Sequence, residues 1–390
     1  MTAQDGEPDP RPIGTLDDTP DPVPAQPAPT LTATRPRRPR GGGIRGREGT
    51  AGWLFVLPVV VILGLFLVVP VVAAVWVSLS NWSGKGSPVG AAYVGLSNYE
   101  ALLTKAGLSQ QNLATSLRNN LYYVILVVPL QTILALFLAS VLNMRRLRAK
   151  SFFRTAFYFP SVTSTVAIMT VFLFLFTGTG AVNKVLSFIG IRGPNWFNDP
   201  RGVLALILSG LGLVDTTHPP AWMTHSFFGL TWLQWFSGPS VAMCALIILA
   251  VWTTGGTFML MFLAALQDVP NDVVEAAVVD GATRWQIFRS VTLPALRPTL
   301  FLVITLGLIG AWQVFDQIYL TGGGNPGKTT LTPAYLSYAT SFSDGKWGQG
   351  AAISFILFAI IIVMNLIQRA VMRERKTLPR RRRYVTGSAR

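Results

Sequence analysis

Residues 241–266 read VAMCALIILAVWTTGGTFMLMFLAAL, a run that contains no Asp, Glu, Lys or Arg. A helix that crosses the hydrocarbon core of a bilayer needs about 20 predominantly apolar residues. Because lipid offers the backbone no hydrogen-bond partners, a run of this length is expected to satisfy its own backbone groups as a helix. The stretch therefore predicts a transmembrane helix.

Five further stretches have a similar length and character. Hydrophobic residues make up 51% of the 390 residues and charged residues only 13%, whereas a soluble domain carries about a quarter charged residues. The predicted fold class is all-α, a polytopic membrane protein with a transmembrane domain over 51–373. We predict six spans, at 53–80, 119–142, 156–177, 241–266, 299–320 and 349–371.

Lysine and arginine residues beside these spans predict the orientation, because short positively charged loops stay in the cytoplasm. The loops on the opposite side carry only scattered bases. We therefore expect both termini and the loop 267–297 to be cytoplasmic and the loop 178–240 to be extracytoplasmic. The cytoplasmic bases are Arg35, Arg37, Arg38, Arg40, Arg45, Arg47, Arg145, Arg146, Arg148, Lys150, Arg154, Arg284, Arg289, Arg297, Arg373, Arg375, Lys376 and Arg380 to Arg383.

The two terminal segments are predicted to be tails. Residues 1–50 are rich in Pro, Gly and Thr and nearly lack large apolar residues, a composition typical of disorder. Residues 374–390 form a basic C-terminal tail. The formal net charge of +15 suggests nucleic-acid binding, but both basic runs flank membrane spans, where topology and anionic lipid head groups account for them. We expect a lipid bilayer as partner and no nucleic acid.

The loop 267–297 has the pattern of two short amphipathic helices joined by a glycine. Asp272 precedes Glu275 by three residues, a spacing that predicts a capping-box-like pair at a helix start. Gly281 can take the left-handed conformation that turns the chain. Ala276 and Ala277 have small side chains that permit a partner to approach closely. The pattern predicts a cytoplasmic docking surface.

The segment EAAVVDGATRWQIFRSVTLP at 275–294 resembles the Glu-Ala-Ala signature of ABC-type importer permeases, although the family usually has Ile where this chain has Val291. Four other stretches resemble the carbohydrate-type permeases: VGLSNY at 94–99, FRTAFYFPSVTS at 153–164, FLAALQDVP at 262–270 and YLTGGGNPGKTT at 319–330. The resemblance covers most of 53–373 and implies the permease subunit of a sugar importer. It implies an ATPase-docking role for Glu275, Ala276, Ala277, Asp280, Gly281, Leu293 and Pro294.

The resemblance also implies partners. The working unit would contain this chain, a second related permease, two copies of an ABC ATPase and an extracytoplasmic solute-binding protein in the bacterial plasma membrane. Because ATP hydrolysis would take place in the partner, the chain itself is expected to be a transport subunit and not an enzyme, working by alternating access.

Two alternatives stay open. A self-sufficient secondary carrier or channel would be favoured by charged residues along several spans, which the sequence lacks. An ABC permease for glycerol phosphate, a polyol or another small polar solute keeps the same class. A basic cluster at mid-membrane would favour a phosphate ester, and the sequence shows none.

Polar side chains within two spans predict the substrate path, because polar groups at this depth usually face a cavity or another helix. An aromatic ring beside hydroxyl and amide groups suits a sugar. The alternative is that the threonine hydroxyls bond to carbonyls one turn earlier and that Asp316 lies near the outer interface. Gln317 is a further polar candidate, and Gly307 leaves room for a neighbouring helix. The predicted path residues are Trp252, Thr253, Thr254, Thr257, Gly310, Gln313 and Asp316.

The loop 178–240 contains an apparent insertion at 193–233. PNWFNDPRGVLALILSG at 194–210 and LQWFSGPSVAMCALIIL at 233–249 resemble each other, and only the second leads into a predicted span. The apolar stretch 203–214 is too short to cross a bilayer, which favours a re-entrant or interfacial helix over two extra crossings. The insertion is a candidate cap for the outer mouth or a candidate contact with the solute-binding protein. The alternative is that its tryptophans form an aromatic belt at the membrane interface.

Other motifs predict no chemistry. Cys244 is the only cysteine, and His218 and His225 have no Cys or carboxylate cluster beside them, so we expect no disulfide, metal site or cofactor. GGGNPGKT at 322–329 has the spacing of a nucleotide-binding P-loop. That site needs a strand before it and a helix after it in an α/β domain, whereas this stretch follows a membrane span. We interpret it as an extracytoplasmic turn and predict no catalytic residue.

Overall fold

The computed structural model describes residues 48–144, 147–212 and 219–372. The predicted tails lie outside this part of the chain, apart from the few residues at which the first helix begins. Arg145, Arg146 and His218 also lie outside it.

The described residues form helices almost throughout. Helices α1 to α9 are Glu48–Leu63, Val69–Ser78, Ser97–Leu103, Leu108–Asn143, Lys150–Val162, Thr165–Leu175, Ala181–Phe188, Val203–Gly210 and Ala221–Thr224. Strands β1, Ser226–Phe227, and β2, Leu230–Thr231, form an antiparallel hairpin. Helices α10 to α18 are Trp232–Phe236, Val241–Gln267, Asn271–Val279, Arg284–Ile287, Leu293–Ala295, Arg297–Trp312, Asp316–Leu320, Pro333–Tyr338 and Trp347–Val371. Three π-helical turns occupy Gly64–Val68, Phe288–Thr292 and Ala339–Ser343.

Among the described residues, five helical stretches are long and apolar enough to cross a membrane, and a sixth is counted if the bent pair α5 and α6 forms one crossing. The predicted all-α class with about six transmembrane helices is confirmed. The orientation of the termini stays a prediction. The five stretches are Gly52–Ser78, Leu108–Asn143, Val241–Gln267, Arg297–Leu320 and Trp347–Val371.

The second predicted span begins too late in the sequence. Helix α4 starts at Leu108, eleven residues before the predicted start at 119. The extension is polar in sequence, yet Leu113 and Ser116 within it are fully buried. Tertiary packing rather than a lipid-facing apolar surface holds this part in a helix.

The third and fifth predicted spans are interrupted, contrary to the prediction of single helices. Helices α5 and α6 meet at 99° across Thr163 and Ser164. Helix α15 ends at Trp312, and α16 begins at Asp316 after a break of three residues. Pro160 precedes the first break, where a proline removes a backbone donor and bends the helix.

Helix α11 is the central element of the fold. It packs mainly against α4 and α5, and Leu246, Met259 and Phe262 along its length are fully buried. Gly256 lies where α5 crosses it, since an added β-carbon would strike the backbone of Phe157. Small residues at such crossings let helix backbones approach closely.

The insertion adds no membrane-spanning helix among the described residues, so the alternative of two extra crossings gains no support there. Helix α8 is only eight residues long. The first turn of α8 pairs with the segment that leads into α11: Val203 N donates to Pro239 O at 2.9 Å and Ala205 N to Ser237 O at 3.1 Å. The two similar sequences thus lie side by side, and only the second continues into a span.

Candidate functional site

A cavity of about 250 Å³ lies between α4, α11 and the break between α15 and α16. Its wall is mixed, with aliphatic side chains beside amide, hydroxyl and carboxylate groups. Such a lining suits a polar solute that also has apolar faces. The polar and glycine residues of the wall are Gln131, Thr254, Gly307, Gly310, Gln313, Asp316 and Gln317.

A second cavity of about 230 Å³ lies between α11 and the break between α5 and α6. Thr254 and Gln317 border both cavities. The two spaces therefore share a polar wall. The polar residues of the second cavity are Ser161, Thr163, Thr165, Thr253, Thr254, Thr257 and Gln317.

Both helix breaks border these cavities. A break frees backbone N–H and C=O groups from intrahelical bonds. Irregular backbone at membrane depth is tolerated only where it is buried in protein or lines a space that water can enter. At the second break, Gln313 N still donates to Ile309 O and Gly310 O, both at 3.2 Å, before the ladder stops. The placement of the breaks marks this region as the polar interior of the bundle.

The structure brings most of the predicted path residues together. Thr253, Thr254, Thr257, Gly310, Gln313 and Asp316 each line at least one of the two cavities. Trp252 lines neither: its indole packs against Phe172, with ring centroids 5.5 Å apart. The hydroxyl of Thr253 donates to Leu249 O at 3.0 Å, which is the bond to a carbonyl one turn earlier that was the alternative to a role in the substrate path. Thr254 and Thr257 therefore present the more available hydroxyls.

Gln131 of α4 is a cavity residue that the sequence reasoning missed. Its side chain is 2% exposed, and its Nε2 finds no hydrogen-bond partner among the described residues. Gly307 leaves room for it, because an added β-carbon would lie 2.5 Å from that nitrogen. An amide within the apolar run VILVVPLQTILALFLA was the available signal, since polar groups at this depth are usually functional.

The loop 267–297 turns as the sequence predicted. Gly281 has φ +78°. Gly281 N donates to Val278 O and Ala282 N to Ala277 O, each at 3.0 Å. These two bonds form a Schellman motif, which closes the end of α12 and requires a left-handed residue at the position of Gly281.

The predicted capping box at the start of α12 is wrong. Helix α12 begins at Asn271 after Pro270 and has no side-chain cap; Asp272 lies inside its first turn. The capping box occurs instead at α13, where Gln286 N donates to Thr283 Oγ1 at 3.3 Å and Thr283 N donates to Gln286 Oε1 at 2.7 Å. A proline cannot cap through its side chain, whereas Thr-x-x-Gln can.

The loop presents apolar side chains to solvent. Val279 is 86% exposed and Trp285 67% exposed, and the Trp285 ring packs on Phe288 with centroids 5.6 Å apart. Glu275, Ala276, Asp280 and Gly281 are also exposed, and Leu293 and Pro294 are half-buried. Exposed apolar groups rimmed by polar residues are typical of protein-binding surfaces.

The chain's family follows from its sequence. Residues 131–377 match the family described as binding-protein-dependent transport system inner membrane component. The chain belongs to this family. Its members are permease subunits of ABC importers, so this permease is a multi-pass membrane protein with a transport role.

Individual relatives align with nearly their whole length. The lactose transport system permease protein LacF of Rhizobium radiobacter is 29% identical over 83% of this permease and 95% of the relative. The trehalose/maltose transport system permease protein MalF of Thermococcus litoralis is also 29% identical, over 85% and 97%.

A solved structure shares the fold of this permease. It is a bacterial alginate ABC transporter in complex with an alginate pentasaccharide-bound periplasmic protein. The TM-score is 0.59 at 20% identity, covering 83% of this permease and 94% of that chain.

The glycine-rich stretch 322–329 has a structural role in this permease. Asn119 of α4 donates through Nδ2 to Lys328 O at 2.8 Å and to Leu331 O at 3.0 Å, and Lys328 Nζ donates to Asn112 Oδ1 at 2.9 Å. The two strands of the described chain, β1 and β2, lie elsewhere in the sequence. The stretch is a turn fastened to the start of α4 and lacks the strand that a P-loop requires.

Proposed function

We propose that this permease is one membrane subunit of an ATP-driven sugar importer and that it moves its cargo by alternating access. The loop 267–297 receives an ABC ATPase through α12 and the turn at Gly281. The cargo passes through the two cavities beside α11. A second permease, an ATPase pair and an extracytoplasmic solute-binding protein complete the unit.

One observation carries the proposal: the helices that enter and leave the loop 267–297 are the same helices that line the cavities. Helix α11 ends at Gln267, and its Thr254 borders both cavities. Leu296, at the exit of the loop, is fully buried in the core. Because packed interiors deform little, a displacement of the loop moves these helices and the cavity walls with them.

The chemistry of the cavities supports a sugar. Hydroxyl, amide and carboxylate side chains offer donors and acceptors, and aliphatic side chains contact the apolar faces of the ring. The two relatives above carry sugar names, lactose and trehalose/maltose. Neither Lys nor Arg of the described chain lines either of the two cavities beside α11, which disfavours a phosphate ester as cargo.

The test is ATP-dependent uptake in vesicles that contain the complete complex. Gly281→Trp and Glu275→Lys alter exposed loop positions and should leave the amount of permease in the membrane unchanged while abolishing uptake. Lys184→Glu, a charge change on a different loop, is the matched control and should transport normally. Normal uptake by either loop variant would contradict the docking role.

The cargo class is tested separately by stimulation of ATP hydrolysis. Adding the solute-binding protein with sugars should stimulate turnover, whereas glycerol phosphate or a polyol should not. Uptake by the isolated permease without ATPase would overturn the proposal in favour of a secondary carrier.

A further inference from the structure

Six aromatic side chains form a continuous series of ring contacts at the end of the bundle that holds the glycine-rich turn. Successive ring centroids lie 4.5–5.8 Å apart. We name this series the aromatic track. It runs through Phe315, Tyr319, Tyr338, Phe342, Trp347 and Trp82.

Local structure explains why these rings meet. Tyr338 and Phe342 are four residues apart across α17 and the π-helical turn after it, so their side chains share a face. Phe315 and Tyr319 have the same spacing at the start of α16. Trp347 is the first residue of α18, and its indole lies against Gly84, where a β-carbon would collide with it.

The rings are not a buried core. Phe342 is 61% exposed and Tyr319 50% exposed, whereas Phe262 of the core is fully buried. Burial of apolar area therefore accounts for only part of the clustering. The exposed ring surfaces remain available to a ligand.

The track leads into the proposed transport path. Phe315 lines the first cavity. Tyr319 lines, together with Asp316, an adjoining cavity of about 380 Å³. The rings thus extend from Trp82, in the loop after α2, to the helix break where Gln313 and Asp316 supply polar groups.

We propose that the aromatic track binds a linear oligosaccharide and guides it to the cavities. This inference rests on the proposed sugar-import function and narrows its cargo. Aromatic faces contact the apolar faces of sugar rings, while tyrosine hydroxyls and Asp316 bond to hydroxyl groups. A monosaccharide covers one ring of the series, whereas an oligosaccharide contacts several in succession, so the track selects for chain length.

The experiment measures uptake by the complete complex in proteoliposomes. The probes are the monosaccharide, the disaccharide and longer linear members of the malto-, cello-, xylo- and arabino-oligosaccharide series. The variants are Tyr338→Leu and Phe342→Leu, which remove one aromatic face each and keep an apolar side chain. Tyr338→Phe keeps the ring, and Phe188→Leu changes an exposed aromatic residue outside the track.

We expect the longer members of one series to be transported. Each leucine variant should raise the KM for these members roughly 2- to 12-fold, the range for one aromatic contact. The KM for the shortest transported member should stay near that of the unaltered permease. Tyr338→Phe keeps the aromatic face and loses only the hydroxyl, so its KM for the longer members should rise less than that of Tyr338→Leu, and Phe188→Leu should behave like the unaltered permease.

Four results would overturn the inference. Uptake of monosaccharide alone would remove the oligosaccharide cargo but leave the sugar-import function standing, whereas uptake of no sugar would remove both. An equal loss for all chain lengths, with less permease in the membrane, would indicate an aromatic belt at the lipid interface. An equal loss with weaker recovery of the second permease would indicate a subunit interface.

Discussion

Replacing Gly256 with alanine tests whether the crossing of α5 and α11 sets the wall of the second cavity. A β-carbon added at Gly256 would lie 3.0 Å from the Cα of Tyr158 and closer still to the carbonyl oxygen of Phe157, whereas ordinary contact begins at 3.4 Å. Backbone atoms cannot swing aside as a flexible side chain does. The two helices must therefore separate.

The expected loss of stability is the difference between two effects. Overpacking a dense interior costs about 1–3 kcal/mol, and alanine is favoured over glycine in a helix interior by about 1 kcal/mol. The net loss for Gly256→Ala is thus up to about 2 kcal/mol. Gly310→Ala is the matched control, because nothing lies within 4 Å of a β-carbon there. Only the gain in helix propensity applies to the control.

The assay is thermal unfolding of the purified permease in mild detergent, followed by uptake measurements on the complex. Gly256→Ala should unfold a few degrees below Gly310→Ala. It should also transport more slowly than the unaltered permease, because separation of α5 from α11 displaces Thr163 at the cavity wall. Equal unfolding temperatures for the two variants would refute the reasoning.

Three further predictions concern other regions. Gly281→Ala places a side chain at φ +78°, which costs about 1–2 kcal/mol, so uptake should fall at equal membrane amounts, while Gly281→Asn should retain most of it because Asn tolerates this conformation. Gln131→Leu should raise the KM of transport roughly 5-fold, the effect of about one hydrogen bond, with an unchanged or higher unfolding temperature; an unchanged KM would exclude contact with cargo. Hydrogen bonds from Arg201 hold the pKa of the Asp199 carboxyl below its ordinary value of 3.8. The ionised carboxylate therefore stabilises the fold at pH values above 3.8. This stabilisation is lost as the pH falls through the lower pKa of the folded state. The unfolding temperature of Asp199→Asn should therefore lie below that of the unaltered permease at neutral pH, and the gap should close in acid; a gap that is constant with pH would contradict this.

The membrane-spanning class could be predicted from the sequence because lipid imposes a length and an apolar composition that few other environments require. The start of α4 could not, since Leu113 is buried in a cluster with Leu331 and Ile353, which are distant in the sequence. The breaks at Thr163 and Gln313 were also missed. An average of hydropathy over a window hides a few polar residues, and only the packing around them shows that the helix stops.

The candidate site also contains residues that the sequence predicts and residues that only the packing reveals. The threonines of α11 were predicted from their polar groups and spacing, and the structure places them at the cavity walls. The direction of Trp252 depends on its contact with Phe172, which no local pattern encodes. Gln131 is a single amide, and no other polar residue at helical spacing indicates that it faces a cavity. Its place at the cavity depends on Gly307 of another helix, which leaves room for its side chain.

The hydrogen bonds at the base of the insertion have a practical consequence. Ala205 N and Ser237 O are 3.1 Å apart, so the segment between them departs and returns through neighbouring points. The entropic cost of bringing the two ends of such a loop together grows only slowly with the length of the loop. A fluorescent protein or an affinity epitope could therefore be inserted between Ala205 and Ser237 without pulling apart the residues on either side of the insertion.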